Sequence, residues 1–591
     1  MTRILGISAF YHDSAVALIT DGRITAAMQE ERFSRIKHDN EFPARAIQAC
    51  LDQDGCKISD IDYVVFYEKP FSKFERLLET YLQHSPRGLA SYLKSIPVWI
   101  KDKLWIKDFL FKQLDGYEGP VLFSEHHESH AASAFFPSPF VSAAILTSDG
   151  VGEWTTSTLG RGENNNFTLE LEQEFPDSLG LLYTAFTYYL GFNVNSGEYK
   201  VMGLAPYGDP LYAEIIEKEI IDIHSDGSFI LNQKYFNYQV GLEMISRHFS
   251  ELFGQPPRNR MEHLQTFHKN IAASVQKVTE KVMLLTARFL HEKTGENRLC
   301  MAGGIALNCV ANGRILRETP FREIWIQPAA GDAGGALGAA LAVWYQYLGN
   351  KRSVNISEDS QQGSLLGTCY QPDEIRIFLQ DQGAVFHELD EDSIYAKTAE
   401  RLVEGSVTGW FRGRMEYGPR ALGNRSIIAD PRRDGMLDEV NLKIKYRESF
   451  RPFAPAVLEE DADKYFRIGS TSPYMLLVGE VLPSRRNEIP AITHVDGSAR
   501  VQTVSESGNR DFYRLISAFK KIAGCSVVLN TSFNVRGEPI VESPAQAYRC
   551  FMRTGMDCLV IENFFLKKSE QPDGIQEPGD QDAEDGTESG I

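Results

Sequence analysis

Two histidines four residues apart, His126 and His130, stand in the stretch HHESHAASAF. Positions i and i+4 lie on one face of a helix, so both imidazoles can reach a single ion. Most pairs of this kind are ordinary surface or core histidines, and a pair supplies only two of the three or four ligands that a site needs. A metal site therefore requires further donors elsewhere in the chain.

Two aspartates are candidates for those donors. Asp149 ends the apolar strand AAILTSDGVGE, and Asp332 follows a second strand in IWIQPAAGDAGGALG. Strand ends converge on one cleft in open α/β sheets, so these carboxylates can meet the imidazoles there. Imidazole together with carboxylate suits Fe²⁺, Zn²⁺ or Mn²⁺. Alone, Asp149 is typical of a turn and Asp332 of a helix N-cap, but the four residues together favour a metal site.

The glycine-rich loops AGGIALN and GDAGGALG each follow an apolar strand and precede a helix. Backbone N–H groups in such turns, with the positive end of a helix, can meet a phosphate or a nucleotide. Two such loops and SDGVGE in one domain resemble the fold of sugar kinases, actin and heat-shock ATPases. The opening strands RILGIS, SAVALIT and RITAAMQ are consistent with that fold. A kinase of that fold carries an Asp-x-Gly phosphate loop in the first hairpin. This chain has GISAFYHDSA there, with His12 and Asp13, so phosphoryl transfer in this domain is not expected.

Basic residues are concentrated further along the chain. Eight arginines and two lysines lie between Arg412 and Arg451, although the formal net charge of the chain is −19. Guanidinium groups bind phosphate oxygens two at a time and lysine adds a point charge, so the pattern predicts an anion site. Arginines that solvate a surface would explain any two of these residues, but not their concentration. The apolar strand in VVLNTSFNVRGEPI adds Ser532 and Arg536, and HVDGSARVQTV adds Arg500.

The chain of 591 residues is too long for one core, so two or more domains are expected. Alternating strands, glycine turns and helices predict an α/β fold. We predict a first domain at 1–355, a linker at 356–368 and a second domain at 369–568. Residues 569–591 have eight acidic residues and no basic one, which predicts a disordered tail. Residues 74–116 are predicted helical, and their alternating aromatics and lysines favour a packing helix over a surface for a substrate, partner or membrane.

The amino-acid composition limits the classes of partner that we expect for this chain. The pI of about 5.3 argues against a general affinity for nucleic acid or anionic membrane. Eight scattered cysteines without a CxxC pair suit a reduced cytoplasmic protein. The start MTRILGISAF has no signal-peptide anatomy, and no apolar run approaches a membrane span. We expect a cytoplasmic protein without nucleic-acid or membrane partners, and the oligomeric state stays open, a homodimer included.

Seven motifs in order carry a family resemblance from residue 3 to about 567: HHESHAAS, SDGVGE, SGEYKVMGLAPYG, AGGIALNCVANG, GPRALGNRSI, NLKIKYRESFRPFAP and LNTSFNVRGEPIV. Together the chain resembles the O-carbamoyltransferases of nodulation-factor, antibiotic and paralytic-toxin biosynthesis. The resemblance implies an actin-like, sugar-kinase-like (ASKHA) N-terminal domain akin to the tRNA threonylcarbamoyl transferase. It also implies a YrdC-like α/β domain at the C-terminus.

The resemblance implies a reaction in two stages. The second domain would convert carbamoyl phosphate and ATP to carbamoyl-adenylate, and the first would transfer the carbamoyl group to a hydroxyl of a small-molecule acceptor, releasing AMP. Fe²⁺ is the first choice of metal in the first domain, with Zn²⁺ or Mn²⁺ as alternatives, and Mg²⁺ would accompany ATP.

The resemblance also implies roles for individual residues. The metal ligands would be His126, His130, Asp149 and Asp332. Carbamoyl phosphate and ATP would meet Arg420, Lys445, Arg451, Arg500 and Ser532, to which we add Arg536. The acceptor would meet Lys37 or His38. On physical grounds we expect the glycine loops, at Gly303, Gly304 and Gly331, and Asn308 to hold the AMP portion of carbamoyl-adenylate. His12, beside Asp13, is the candidate base for the acceptor hydroxyl because imidazole titrates near neutrality; a turn histidine bonded to backbone fits its sequence equally well.

Two other functions compete with this one. A small-molecule kinase or ATPase of the same superfold would form ADP and have no use for carbamoyl phosphate. A tRNA-modifying carbamoyl-type transferase shares the fold, but the acidic composition and the lack of a basic tract oppose it. The sequence does not disclose the acceptor.

Overall fold

The structure is a computed structural model that describes residues 1–101, 103–448 and 450–572. The chain forms two compact units. The first contains Met1–Glu30 and Asn40–Ser360, and the second contains Glu31–Asp39 and the chain from Gln361 onward. A short piece of the N-terminal third therefore folds with the C-terminal part of the chain. Both units are α/β, as predicted.

Among its described residues, the first unit contains twelve strands. They are β1 (Arg3–Ser8), β2 (Ala15–Thr20), β3 (Arg23–Gln29), β4 (Tyr63–Phe66), β5 (Val121–Phe123), β6 (Ser142–Ser148), β7 (Thr155–Glu163), β8 (Asn166–Glu174), β9 (Ile221–Ile223), β10 (Phe229–Leu231), β11 (Arg298–Ala302) and β12 (Glu323–Ile326).

Ten of these strands form two sheets with the same topology. The first sheet has the order β3-β2-β1-β4-β5, and the second has the order β8-β7-β6-β11-β12. In the first sheet β1, β2 and β3 are antiparallel neighbours, and β4 and β5 run parallel to β1. In the second sheet β6, β7 and β8 are antiparallel neighbours, and β11 and β12 run parallel to β6. The duplication confirms the actin-like, sugar-kinase-like fold predicted for the first domain. It also puts the turn after β1 and the turn after β6 in equivalent places.

Helices follow the strands in the first unit. They are α2 (Ala44–Asp54), α3 (Pro70–His84), α4 (Leu89–Lys101), α5 (Ile106–Gln113), α6 (His126–Phe135), α7 (Leu179–Tyr189), α8 (Glu198–Leu204), α9 (Ala213–Ile215), α10 (Arg247–Phe253), α11 (Thr266–Thr294), α12 (Cys309–Glu318) and α13 (Asp332–Ala342), while α1 (Glu31–Ser34) belongs to the second unit. The described residues of the region predicted helical, 74–116, thus form three α-helices and one short 3₁₀ turn. In the part of the chain that is described, no helix has the length and apolarity needed to cross a bilayer.

Most glycines of GDAGGALG lie in a helix, where they allow close packing, and not in a loop. The helix α13 begins at Asp332, so Gly334, Gly335 and Gly338 are helical, and the predicted glycine loop is wrong at these positions. A Cβ on Gly338 would lie 1.7 Å from the Ser129 carbonyl oxygen of α6. The missing side chains therefore allow α13 to contact α6 directly.

The described part of the second unit is built on one sheet of ten strands, in the order β13-β22-β21-β14-β15-β20-β16-β19-β18-β17. The strands are β13 (His387–Glu388), β14 (Thr408–Phe411), β15 (Arg425–Ala429), β16 (Ala454–Leu458), β17 (Phe466–Arg467), β18 (Leu477–Val481), β19 (Ser498–Val504), β20 (Val527–Ser532), β21 (Cys558–Ile561) and β22 (Phe564–Lys567). The helices are α14 (Pro372–Asp381), α15 (Glu391–Val403), α16 (Met436–Val440), α17 (Arg510–Ala523) and α18 (Pro544–Arg553).

The ends of the predicted second domain differ from the observed unit. Gln361, Ser364 and Leu366 fall in the predicted linker, yet all three are buried in the second unit. At the other end, Gln571 Nε2 donates to the Val385 carbonyl at 2.8 Å, so the packed chain continues past residue 568. Polar residues whose hydrogen bonds are made inside a fold cannot be distinguished by sequence alone from the polar residues of a linker. The rest of the predicted tail, 573–591, lies outside the described residues.

Candidate functional site

The four predicted metal ligands meet in the first unit. One donor atom from each of His126, His130, Asp149 and Asp332 lies within 4.8 Å of the others. The Nε2 atom of His126 is 3.1 Å from His130 Nε2 and 3.1 Å from Asp149 Oδ2. Asp332 Oδ1 is 3.7 Å and 3.8 Å from the two Nε2 atoms. These four residues are called the metal-ligand cluster below.

Rigid elements of both halves position this cluster. His126 is the first residue of α6, and the i, i+4 spacing puts His130 on the same helical face. Asp149 directly follows β6, and Asp332 is the first residue of α13. Since α6 follows β5 and α13 follows β12, the two helices occupy equivalent places in the duplicated fold. Strand ends and helix starts therefore fix all four donors.

The donor set fits a divalent cation. Asp332 is completely buried, and its Oδ1 accepts no hydrogen bond from any described residue. A buried polar atom left without a partner costs about 1–3 kcal/mol, which a bound cation would recover. Two imidazoles and two carboxylates are the ligand types of Fe²⁺, Zn²⁺ and Mn²⁺. The residues thus fit the metal that the sequence predicts.

The electrostatics of the cluster agree with this fit. Burial alone would lower the pKa of His126, but Asp332, Asp149 and Glu68 outweigh it and raise the pKa to about 10. Burial would raise the pKa of Asp149, but hydrogen bonds from His126 and His130 hold it well below its usual value. The carboxylates therefore favour positive charge between them, which a divalent cation would carry in place of protons.

A buried carboxylate that the sequence did not predict faces the other nitrogen of His126. Glu68 Oε2 lies 3.6 Å from His126 Nδ1, and Lys73 Nζ donates to it at 2.6 Å. Burial opposes the charge of Glu68, but Lys73 and His126 lower its pKa to about 2. A carboxylate at the far nitrogen of a metal-binding histidine fixes the ring and raises its basicity. Glu68 thus has the position and the charge to orient His126.

His12 and Asp13 lie in the turn between β1 and β2, next to the metal-ligand cluster. His12 Nδ1 is 3.0 Å from Asp13 Oδ2, and His12 Nε2 is 3.8 Å from Asp332 Oδ2. Phe10 has a φ of 74° and Asp13 a φ of 52°, both left-handed conformations that are uncommon outside glycine. Burial lowers the pKa of His12, but Asp332 and Asp13 outweigh it and raise it to about 9. When the charge of Asp332 is engaged elsewhere, the pKa of His12 falls, which favours the neutral imidazole that can accept a proton.

The glycine turn after β11 is tied to the metal-ligand cluster. Gly304 N donates to Asp149 Oδ1 at 2.8 Å, while Asp149 Oδ2 faces the histidines. Gly303 has a φ of 92°, and a Cβ there would lie 2.2 Å from the Ser148 carbonyl oxygen, so only glycine fits. Gly331, which precedes α13, has open space where a Cβ would be.

Asn308 has structural partners already. Its Oδ1 accepts from Ala311 N at 3.2 Å, and its amide pairs with that of Gln276 through two contacts of 3.1 Å. Within the described residues, these contacts cap α12 and use one of the two amide hydrogens of Asn308.

Lys445 and Ser532, both predicted to bind anions, meet in the second unit. Lys445 ends the π-helical turn Asn441–Lys445 and is 3% exposed. Its Nζ donates to Asn534 Oδ1 at 2.8 Å, to Ser532 Oγ at 3.3 Å and to the Ser532 carbonyl. Burial and the neighbouring Arg447 lower the pKa of Lys445 well below its usual value. Positive charges are therefore crowded at the end of β20.

Strand register brings Arg500 to the same side of the sheet as Ser532. Asn530 on β20 donates through Nδ2 to Gln502 Oε1 on β19 at 2.8 Å, so these two side chains share a face. Side chains two residues apart in a strand point the same way, so Ser532 and Arg500 share that face as well.

Arg420 lies in the loop that covers this face. Asn530 Nδ2 donates to the Ala421 carbonyl at 3.3 Å, and Gln502 Nε2 donates to the Leu422 carbonyl at 2.8 Å. The loop is thus held against β19 and β20 immediately after Arg420.

Two further arginines of the predicted site share one carboxylate. Glu448 lies 3.7 Å from Arg451 Nη1 and 3.7 Å from Arg536 Nη2. Arg447 and Arg451 both lower the pKa of Lys445, so their charges act on it. An incoming anion would compete with Glu448 for these guanidinium groups. The residues Lys445, Ser532, Arg420, Arg451, Arg500 and Arg536 are called the anion cluster below.

The segment Glu31–Asp39 supports two loops of the anion cluster. Arg32 is buried and donates through Nη2 to the Gly418 carbonyl at 2.7 Å. Arg35 donates through its two Nη atoms to the Pro539 and Ile540 carbonyls, at 2.7 Å each. These loops carry Arg420 and Arg536, so the segment helps to set their positions.

Lys37 and His38, which the resemblance places at the acceptor, are in this segment. The charge of Lys37 lowers the pKa of Lys445, so it acts on the anion cluster. His38 N donates to Glu31 Oε2 at 3.0 Å, which holds the turn of the segment closed.

Sequence reasoning did not predict Tyr67, Glu68 and Lys73 as parts of the site. Tyr67 OH lies 3.4 Å from Asp332 Oδ2. The signal was present, because YVVFYE is a strand and the strand-end rule that selected Asp149 applies equally to Tyr67 and Glu68. No comparable sequence pattern indicated the contacts that Arg32 and Arg35 make.

Two family models match most of the chain. Carbamoyltransferase N-terminus matches residues 3–341, and Carbamoyltransferase C-terminus matches residues 399–568. The chain belongs to the carbamoyltransferase family. The family resemblance of the seven motifs is thereby confirmed.

Relatives of this carbamoyltransferase match along its length. A protein of Synechocystis sp. (strain ATCC 27184 / PCC 6803 / Kazusa), uncharacterized by its name, is 53% identical over 606 residues, 98% of each chain. Nodulation protein NolNO of Sinorhizobium fredii (strain NBRC 101917 / NGR234) is 38% identical, over 95% of this chain and 80% of that protein. The 3'-hydroxymethylcephem-O-carbamoyltransferase of Amycolatopsis lactamdurans is 33% identical, over 51% of this chain and 54% of that enzyme.

Proposed function

We propose that this carbamoyltransferase is an ATP-dependent O-carbamoyltransferase. The second unit forms carbamoyl-adenylate from carbamoyl phosphate and ATP, and the first transfers the carbamoyl group to a hydroxyl of a small-molecule acceptor. The observation that carries the proposal is the position of Asp149, which contacts the histidines through Oδ2 and the glycine turn through Oδ1. Binding of a cation and of a nucleotide phosphate would then be parts of one site.

The first half-reaction belongs to the anion cluster. Carbamoyl phosphate and one water give carbamate and phosphate. An oxygen of the carbamate attacks the α-phosphorus of ATP, the bond to the β-phosphate oxygen breaks, and pyrophosphate leaves. Arg451, Lys445 and Arg420 bind and orient these anions, because guanidinium and ammonium groups match phosphate oxygens. Ser532 and Arg500 line the same face of the sheet, and Mg²⁺ accompanies ATP.

The second half-reaction belongs to the first unit. His12, oriented by Asp13, accepts the proton of the acceptor hydroxyl as its oxygen attacks the carbamoyl carbon. The bond from that carbon to the phosphate oxygen breaks, and AMP leaves with the electron pair. The AMP portion packs against the glycine turns at Gly303, Gly304 and Gly331, and the second amide hydrogen of Asn308 donates to it. The N–H groups of Gly303 and Gly304 already donate to the Ala330 carbonyl and to Asp149 Oδ1, so these two glycines offer space rather than hydrogen bonds.

The metal-ligand cluster would hold Fe²⁺, with Zn²⁺ or Mn²⁺ as alternatives. A cation bound there supplies Lewis-acid stabilisation of negative charge on a carbonyl or phosphate oxygen. Glu68 holds the His126 ring in the orientation that presents Nε2 to the cluster.

The acceptor is proposed to be an alcohol. The Amycolatopsis relative is named for O-carbamoylation of a hydroxymethyl group, which favours a hydroxyl acceptor here. Lys37 and His38 are proposed to contact it. A second assignment for Lys37, charge neutralisation of a phosphate in the anion cluster, is favoured by its effect on Lys445.

A product assay tests this function. The full-length protein is incubated with ATP, [¹⁴C]carbamoyl phosphate and a panel of alcohols, and nucleotides and labelled products are separated. We expect AMP, pyrophosphate and a labelled O-carbamoyl product, all dependent on carbamoyl phosphate. ADP formed without carbamoyl phosphate would favour the kinase or ATPase function. Label transferred to tRNA instead of alcohols would favour the tRNA-modifying function.

A further inference from the structure

Helices α3 and α4 form a hairpin on the first unit, and their inner faces pack together. The rings of Tyr81 and Tyr92 are 5.3 Å apart, and those of Phe74 and Trp99 are 5.9 Å apart. Tyr81 also belongs to a buried cluster with Ile96 and Val240 of the same unit. The inner faces therefore explain the packing role that the sequence predicts for this region.

The outer face of α4 is apolar and basic. Leu89 and Leu93 are each 63% exposed, and Ile100 lies on the same helical face. Lys94 and Lys101 are exposed beside them, and the sequence of α4, LASYLKSIPVWIK, contains no acidic residue.

The outer face of α3 is apolar and acidic. Phe71 and Leu82 are 71% and 75% exposed, and they line a shallow groove with Leu78, Glu75 and Glu79. The spacing of these five residues puts them on one helical face. The hairpin thus presents two neighbouring apolar stripes, one beside acidic residues on α3 and the other beside basic residues on α4.

We propose that this hairpin is the contact surface for a second copy of the chain, with α3 of one protomer packed on α4 of its partner. A two-fold interface repeats every contact, so the surface must be complementary to itself. Pairing α3 with α3 would oppose Glu75 and Glu79 with their own copies, and pairing α4 with α4 would oppose lysines. The crossed arrangement puts Glu75 and Glu79 against Lys94 and Lys101 twice and buries both apolar stripes.

An anionic membrane fits the same surface less well. Its headgroups would attract Lys94 and Lys101, but they would repel Glu75 and Glu79 on the adjoining helix. The net charge of −19 on the whole chain adds to that repulsion. A second copy uses both charged faces, whereas a membrane uses one.

Charge reversal tests the interface in solution. Sedimentation velocity of the full chain over a range of concentrations should show a dimer. The variants E75K/E79K and K94E/K101E should each weaken dimerisation at least about tenfold, because like charges then face each other. An equimolar mixture of the two variants should restore a mixed dimer, since each helix again meets an opposite charge. The variant E214K/E292K, with the same change of charge outside the hairpin, should dimerise like the wild type.

Four results would overturn the proposal: a wild-type chain that stays monomeric, a dimer that survives both reversals, variants that do not recombine, or a control that dissociates as they do. A monomer that co-sediments with phosphatidylserine vesicles would assign the surface to a membrane instead. Thermal unfolding of each variant, expected at the wild-type midpoint because the substituted side chains are exposed, separates loss of the interface from loss of the fold.

Discussion

The metal-ligand cluster of the first unit and the anion cluster of the second differ in how they are built. The first takes all four donors from a strand end and the starts of α6 and α13. The second takes Ser532 and Arg500 from strands, but Lys445, Arg420, Arg451 and Arg536 from turns and loops. A small cation needs donors at fixed distances, which regular elements provide. Phosphates that are bound, displaced and released suit charges on loops, which adjust more easily.

The two clusters also depend on different parts of the chain. The metal-ligand cluster is complete within the first unit, and its outer partners Glu68 and Lys73 are there too. The anion cluster needs support from Arg32 and Arg35, which are 386 and 505 residues away in sequence from carbonyls that they bind. Variants in one cluster should therefore leave the other half-reaction intact, and this separation can be tested.

The largest effect is expected from His130→Ala. It removes one of two imidazoles whose Nε2 atoms are 3.1 Å apart, so metal affinity should fall more than about 100-fold, beyond the usual loss for an outer partner. Carbamoyl transfer should be lost, while pyrophosphate release continues. Metal analysis and separate assays of each half-reaction check this. His127→Asn on the same helix should keep its metal, since His127 bonds Thr147 instead. Full metal content in His130→Ala would remove His130 from the ligand set.

Arg451→Ala should affect the opposite half-reaction. Loss of a guanidinium that binds phosphate should slow carbamoyl-phosphate-dependent pyrophosphate release about 30-fold, equivalent to about 2 kcal/mol. Transfer from supplied carbamoyl-adenylate should be unchanged. Arg467→Ala, an exposed arginine of the same unit, serves as the control. If both half-reactions slowed equally, the division of labour between the units would be wrong.

Glu68→Gln sharpens the account of the metal-ligand cluster. The substitution keeps the size of the side chain and removes the negative charge beside His126, so metal affinity should fall about tenfold. Competition with a chelator measures the dissociation constant independently of activity. Glu118→Gln, at an exposed position of the same unit, should leave it unchanged. An unaltered constant in Glu68→Gln would limit Glu68 to pairing with Lys73.

The smallest effect is expected from Lys37→Ala, since a partly exposed charge contributes about 1 kcal/mol or less. A KM raised a few-fold for the acceptor would support the contact implied by the family resemblance. The same rise for carbamoyl phosphate would place Lys37 in the anion cluster. Steady-state kinetics with each substrate varied in turn distinguish these results, with Lys57→Ala as the exposed control. An unchanged KM for both would leave Lys37 without a role in binding.

The sequence predicted the metal-ligand cluster because its signals are local. The i, i+4 spacing of His126 and His130 and an apolar strand before Asp149 need no knowledge of distant contacts. Gly334 and Gly338 were misassigned to a loop because a glycine that allows two helices to touch looks the same in sequence as one that frees a turn. The role of Arg32 could not be predicted, since its partner Gly418 lies in the other half of the chain and no periodicity links the two.

The segment Glu31–Asp39 has a consequence for how the protein is made. It leaves the ribosome more than 300 residues before Gln361, where the rest of its unit begins. At about 5–20 residues per second, β22 follows roughly 30 to 100 seconds later. During synthesis the segment must wait without its final partners while residues 40–360 are made and the first unit forms. A fragment that starts at Gln361 would lack Arg32 and Arg35, so a peptide covering 31–39 should be needed to complete it.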